Sequence, residues 1–245
     1  SLAKQGEVID LPTTKFYKWL NNLSLDATFK ELKHSEMDIE GESETEAKKF
    51  EEVAKKYIDL KKKSLLDPKL KSDADASYKE LEKYSEIEKN YNSYKNLAAK
   101  STNKPQVLTN EIYGNQWFVA GGNSQIAHFI KDANAQYIFG DNSESKSTPK
   151  SFEEVFSRAE KAEFWVNVGN HKNKKDLLQI NPNYAKMKVY QKGDIYTISG
   201  REKGSANDYF ESGVVRGDLV LKDYIKIFHP EIFPKDSLLY MKKLN

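Results

Sequence analysis

The sequence predicts an α/β protein whose C-terminal part is a three-layer domain around a mostly parallel sheet. Three observations lead there. From residue 104 onward, short β-branched or aromatic runs alternate with helical patterns. A glycine pair, Gly121 and Gly122, joins one apolar run to a helix that Ser124 can cap. Ser151 followed three residues later by Glu154 is a capping box that opens another helix.

The elements read in order as follows. Residues 7–11 form a short apolar run ended by Pro12, which reads as a strand. Thr13 or Thr14 then caps a helix over 15–23, with Phe16, Trp19, Leu20 and Leu23 at helical spacing. The polar, acidic stretch 33–46 reads as a linker. Residues 45–66 predict a helix, because Ala47, Phe50, Val53, Ala54, Tyr57, Ile58 and Leu60 keep a 3.6-residue period. Asp67 and Pro68 end it. Residues 69–99 predict a second, very polar helix with a narrow stripe of Tyr78, Leu81, Tyr84, Ile87, Tyr91, Tyr94 and Leu97.

Beyond residue 104 the expected strands are 106–109, 116–120, 136–139, 164–168, 195–198 and 238–241. The expected helices are 124–131, 151–161, 174–179 and 214–228.

Composition narrows the function classes. The chain has 245 residues, enough for one large domain or two small ones. Its 39 basic and 37 acidic residues nearly balance, which argues against a nucleic-acid partner and against affinity for acidic membranes. There is no cysteine, so disulfides, thiolate metal sites and cysteine nucleophiles are excluded. No stretch approaches the roughly eighteen apolar residues of a membrane span. No signal peptide is visible at the N-terminus; Ser1-Leu2-Ala3-Lys4 reads either as an artificial start or as the start of a processed product, and any lipid-anchoring cysteine of the native protein lies outside the sequence.

Few motifs carry chemistry. The glycine turn at 121–122 lets backbone approach a ligand, and the following helix start favours an anion. It matches neither the dinucleotide nor the phosphate-loop pattern, and a plain capped turn explains it equally. Arg201 suits a carboxylate through its forked donors, or is a solvated loop arginine. Arg216 reads as structural, paired with Glu211 or Asp218, and Trp165 as core. His34, His128, His171 and His229 show no metal-ligand spacing and read as structural; His229 sits at a helix end, where imidazole meets carbonyls. No serine-hydrolase elbow is present.

Longer runs carry a resemblance. Residues 207–234, NDYFESGVVRGDLVLKDYIKIFHPEIFP, resemble the C-terminal end of the periplasmic substrate-binding proteins of iron-siderophore, haem and cobalamin ABC transporters, in the form common in Bacteroidetes-type bacteria. WFVAGGNSQIAHFIKDANAQYIF and SFEEVFSRAEKAEFWVNVGN resemble successive strand, turn and helix units of their C-terminal lobe. Residues 45–63 resemble, more loosely, the long helix between lobes.

The resemblance implies three regions: a remnant of the N-terminal lobe at 1–44, a connecting helix with a polar helical insertion at 45–103, and the C-terminal lobe at 104–245. It implies a cleft ligand touched by Trp117, Gly121, Gly122, Asn123, Arg201, Asn207 and Tyr209. Glu153 would dock onto arginines of the permease, Glu154 being spent on the capping box. The implied function is a non-catalytic solute receptor without a cofactor. Its partners would be a ferric siderophore, haem or cobalamin, an ABC permease and an outer-membrane receptor system, and its place the periplasm or cell envelope, with a lipid anchor. The alternative is an envelope structural or interaction lipoprotein that keeps the scaffold and binds no ligand. An enzyme on a flavodoxin-like scaffold lacks any motif here.

Overall fold

The computed structural model describes residues 68–204 and 206–245, together with Lys56, Asp59 and Lys63. Those three are helical, and Lys63 pairs with Asp59 one turn earlier at 2.7 Å. The rest of the helix expected at 45–66, with its Phe50 face, lies outside the described residues, as do the elements expected at 7–11, 15–23 and 33–46.

A 3-10 turn at Pro68–Leu70 leads into helix α1, Lys71–Ala98. Proline at its start suits a turn whose first N–H groups have no partner. The stripe that docks is Ile87, Tyr91, Tyr94 and Ala98, at steps of four, three and four residues. Leu97, expected in that stripe, is exposed, and Ala98 is buried in its place. The C-terminal part of this helix thus packs on the lobe, mainly against the long helix at Gly217–Phe228.

The lobe follows in strand–helix alternation. Strand β1 is Gln106–Thr109, and a hairpin of β2, Ile112–Tyr113, and β3, Gln116–Val119, leaves its end. Helix α2, Gln125–Asp132, is capped by Ser124, whose hydroxyl accepts from the Ala127 N–H at 3.3 Å. Asn134, at φ 56, turns the chain out of α2 into β4, Gln136–Tyr137. Strand β5, Thr148–Lys150, precedes α3, Phe152–Arg158. The capping box of α3 is complete: Ser151 Oγ accepts from Glu154 N at 3.2 Å, and Glu154 Oε2 accepts from Ser151 N at 3.0 Å. Then come β6, Phe164–Val168, α4, Asp176–Ile180, a 3-10 turn at Pro182–Lys186, α5, Lys188–Lys192, and β7, Asp194–Thr197. A small hairpin of β8, Glu202–Lys203, and β9, Ala206–Asn207, leads to α6, Ser212–Val215, α7, Gly217–Phe228, and β10, Lys242–Lys243.

The main sheet runs β10-β7-β6-β1-β4. The four adjacent strands β7, β6, β1 and β4 are parallel, and β10, at the edge beyond β7, pairs antiparallel with it. Consecutive side chains of β6 point to opposite faces, as strand geometry requires. Phe164 meets Phe228 of α7, with ring centroids 5.3 Å apart, while Trp165 meets Trp117 and Tyr184 on the other side. Helices α1, α2 and α7 cover the first face, where the Phe129 and Tyr224 rings stack at 5.8 Å; α3 to α5 cover the second. The expected three-layer α/β lobe with a mostly parallel sheet is the one observed.

Three expectations are corrected. The strand at 116–120 does not join the main sheet. It is the middle of a separate antiparallel sheet, β2-β3-β5. The final strand lies at Lys242–Lys243 rather than 238–241, because Asp223 captures the backbone there: its carboxylate accepts from the N–H groups of Leu239, Tyr240 and Met241 at 2.7–3.1 Å. The helix at 214–228 is broken at Arg216, whose guanidinium turns to grip the buried Asp218 through two bonds of 2.9 Å.

Trp165→Ala is expected to destabilise the lobe by about 3–5 kcal/mol in urea unfolding, since the whole indole is buried. Asp223→Asn places an NH₂ group against backbone N–H donors and is expected to cost about 3 kcal/mol. A loss below about 1 kcal/mol for Asp223→Asn would show that the carboxylate does not hold the C-terminal segment.

Candidate ligand site at the strand ends

In an open parallel sheet, ligands settle at the carboxyl ends of strands, where the strand order reverses. Here the chain goes from β1 outward to β4, then returns past β1 to β6 and β7. The reversal falls between β1 and β6. Two non-glycine residues adopt left-handed backbone there, Asn110 at φ 60 and Asn167 at φ 58. Asparagine tolerates this conformation better than most residues.

The loops leaving β1 and β6 are tied to each other. Glu111 Oε1 accepts from the Gly169 N–H at 3.0 Å, and Oε2 lies 2.7 Å from His171 Nε2. A side chain on Gly169 would push the Glu111 carboxylate out of its present position. The Glu111 bond raises the His171 pKa above its ordinary value, burial opposes the rise, and Asp176 adds to it. The third loop joins through Asn170, which donates to Glu202 of β8.

Asn167 sits in an irregular stretch of β6, where the register to β7 shifts. Its Oδ1 accepts from the Tyr224 hydroxyl at 2.7 Å, and the Tyr209 hydroxyl lies within reach of both. Burial pushes both tyrosine pKa values up, so these hydroxyls stay protonated donors.

The residues expected to touch ligand fall into two groups. Trp117 is fully buried, with its indole N–H donated to the Thr109 carbonyl at 2.9 Å; it underlies the crevice instead of lining it. Gly121 and Gly122 are pressed against the backbone of Glu144 and Asn142, so their missing side chains make room for the chain after β4. The Gly122 N–H is spent on Asn142 Oδ1 at 3.0 Å, and the N–H of exposed Asn123 on the Glu144 carbonyl at 2.9 Å.

Arg201, Asn207 and Tyr209 assemble at the other end of the strand order, beyond β7. Arg201 Nε lies 3.0 Å from Asp208 Oδ2, an ion pair whose angles do not make a hydrogen bond. Asn207 Oδ1 accepts from the Tyr209 N–H at 3.0 Å. Tyr209 turns its hydroxyl inward. Glu153 is exposed in the first turn of α3 and has no hydrogen bond or ion pair among the described residues.

Sequence reading missed Asn110, Glu111, Asn167, Gly169, Asn170 and His171. The signal was present: polar residues directly follow two buried strands, NE after QVLT and GNH after FWVNV. His171 was assigned a structural role for want of a second ligand at fixed spacing, yet its partner lies sixty positions away. His229 is buried at the helix end, but its Nε2 faces the Asn134 carbonyl beyond α2 and not its own helix, at 3.4 Å. His128 Nδ1 is buried without a partner, and His34 lies outside the described residues. Among the described residues no group of three metal-ligating side chains occurs, and no helix is long and apolar enough to cross a membrane.

The chain is 29% identical over 149 residues to an uncharacterised lipoprotein of Methanocaldococcus jannaschii, covering 60% of this chain and 34% of that one. An uncharacterised protein of the same organism is 27% identical over 163 residues, 62% of this chain and 46% of the relative. The chain thus spans less than half the length of these relatives. In structure it is similar to the TroA-like periplasmic binding protein FepB of Veillonella parvula, with a TM-score of 0.51 at 14% identity, over 70% of this chain and 57% of that one. That likeness shows the fold. A sequence profile described as periplasmic binding protein matches residues 73–202, more than half of the chain, spanning all but the first two residues of α1, the loops after β1 and β6 and the first residue of β8. By that match the chain belongs to the periplasmic binding protein family.

Proposed function

We propose that the chain is the solute-binding component of an ABC importer, taking an iron chelate, haem or cobalamin and doing no chemistry on it. The observation that carries this is the cluster of polar side chains at the strand reversal, Asn110, Glu111, Asn170 and His171, in a chain of this family. In this reading residues 104–245 are one wall of the clamp, and the first lobe, of the Bacteroidetes-type form, faces it. Ligand selectivity then comes from cleft shape and a few polar anchors. Exposed Glu153 is the contact to the permease, and an outer-membrane receptor delivers the solute. The lipoprotein names of two relatives support a lipid anchor and a place in the periplasm or cell envelope.

A second reading has its own observation. Arg201 is already paired with Asp208, and the glycine turn is covered by chain. Both fit an envelope interaction protein that kept the scaffold without a ligand.

Titration calorimetry with a ferric siderophore, haemin and cyanocobalamin separates the two. Binding of one supports the receptor, and binding of none leaves the interaction reading. Arg201→Ala is expected to weaken an anionic ferric chelate by about 1.5–3 kcal/mol, the scale of a hydrogen bond to a charged group, and a neutral ligand far less. Asp208→Asn releases the guanidinium and is expected to tighten the anionic chelate. Equal losses for both ligand types in Arg201→Ala would assign the arginine to folding.

A further inference from the structure

Glu111 and His171 stand on loops that leave neighbouring parallel strands on either side of the strand reversal. We infer that they form a proton-operated clasp that sets the spacing of those two loops, with His171 acting as a positioning residue for the crevice. The inference rests on the receptor reading for its consequence, and on geometry for its existence.

The geometry is specific. One carboxylate divides its two oxygens between a backbone N–H, that of Gly169, and an imidazole nitrogen two residues further on. The pair is shielded: the side chains keep 20% and 11% of their exposure for Glu111 and His171. Such a contact is stronger than its surface counterpart yet open to protons from solvent. The β2–β3 hairpin starts one residue after Glu111, so the clasp also holds the base of that hairpin.

The charged groups acting on the imidazole are Glu111 and Asp176 of α4, and both favour its protonated form. Asp176 is itself fixed by the N–H groups of Lys172 and Asn173. The folded pKa of His171 is raised. The charge-assisted contact is therefore complete below the ordinary histidine value and is lost as pH rises through the folded value. The clasp holds in acid and slackens in base. Above that value the neutral imidazole can still donate its Nε2–H, but the charge assistance is gone, so the β6 loop parts more readily from the hairpin base. Ligand dissociation then quickens as pH rises.

The test uses the full chain without ligand first. The imidazole proton resonances of His171 are titrated in the wild type and in Glu111→Gln. The midpoint is expected to fall by about one unit in the variant, the lower end of the effect of a nearby opposite charge. Exchange protection of the Gly169 amide, corrected for intrinsic base catalysis, is expected to drop severalfold as the wild type passes its midpoint. His171→Gln keeps a side-chain N–H donor; its Gly169 protection should stay flat with pH.

An unchanged midpoint in Glu111→Gln overturns the clasp, and so does Gly169 protection that ignores the wild-type midpoint. With haemin as probe, dissociation from the wild type should be faster at about pH 8.5 than at about pH 6, and equal at both in His171→Gln. A wild type whose haemin dissociation ignores pH overturns the positioning role. If haemin does not bind at all, the haem reading falls, while the resonance and exchange measurements still decide the clasp.

Discussion

The lobe depends on how the chain leaves β1. Past Thr109 the backbone loses its place in the main sheet while still running through the interior, and buried peptide groups must find partners. Three aromatic side chains supply them. The indole of Trp117 donates to the Thr109 carbonyl and that of Trp165 to the Asn110 carbonyl, at 2.9 and 2.6 Å, and the Tyr184 hydroxyl accepts from the Ile112 N–H at 2.9 Å. The same rings pack edge to face or tilted within 5.0–5.6 Å of each other. Apolar bulk and hydrogen-bonding tips thus act at one place. Because the exit is pinned, Asn110 holds its left-handed turn, Glu111 reaches Gly169 and the hairpin has a fixed base.

On the opposite face the connections are made by charge. Tyr91 and Lys95 of α1 both bind Asp132 at the end of α2, each at 2.8 Å. Asp218 and Asp223, both buried on α7, hold Arg216 and the C-terminal backbone. Each carboxylate is matched by donors, which is the condition for burying one at all. The α7 face is therefore rigid where the crevice loops need a stable floor: Tyr224 reaches from that helix to Asn167 at the irregular stretch of β6.

How much of this the sequence displays depends on the range of the interactions. The capping box of α3 and the cap of α2 are local, three residues apart, and were legible. So were β6 and β1, whose burial on both faces shows in the adjacent apolar residues FWV and VL. The stripe of α1 was legible as a helix, but which of Leu97 and Ala98 docks depends on the partner helix. Misreading arose where one local pattern serves two arrangements. A strand, two glycines and a capped helix look the same whether the strand lies in a parallel sheet or in a hairpin; only Trp117 facing Ile112 and Lys150 decides it. Of the site, the Arg201 and Asn207 loop was visible as a polar run, whereas the Glu111 and His171 pairing links positions with no common periodicity.

The close approach of Trp117 and Trp165 has an optical consequence. Their ring centroids lie 5.5 Å apart at an interplanar angle of 30°, and both indoles are shut off from solvent. Excited states that near and that inclined couple, so the pair acts as a single chiral chromophore in the near ultraviolet. One of its two rings rides on the hairpin and the other on the central sheet. Its circular dichroism reports the seating of the hairpin on the sheet without any label, read from two of the three tryptophans in the chain.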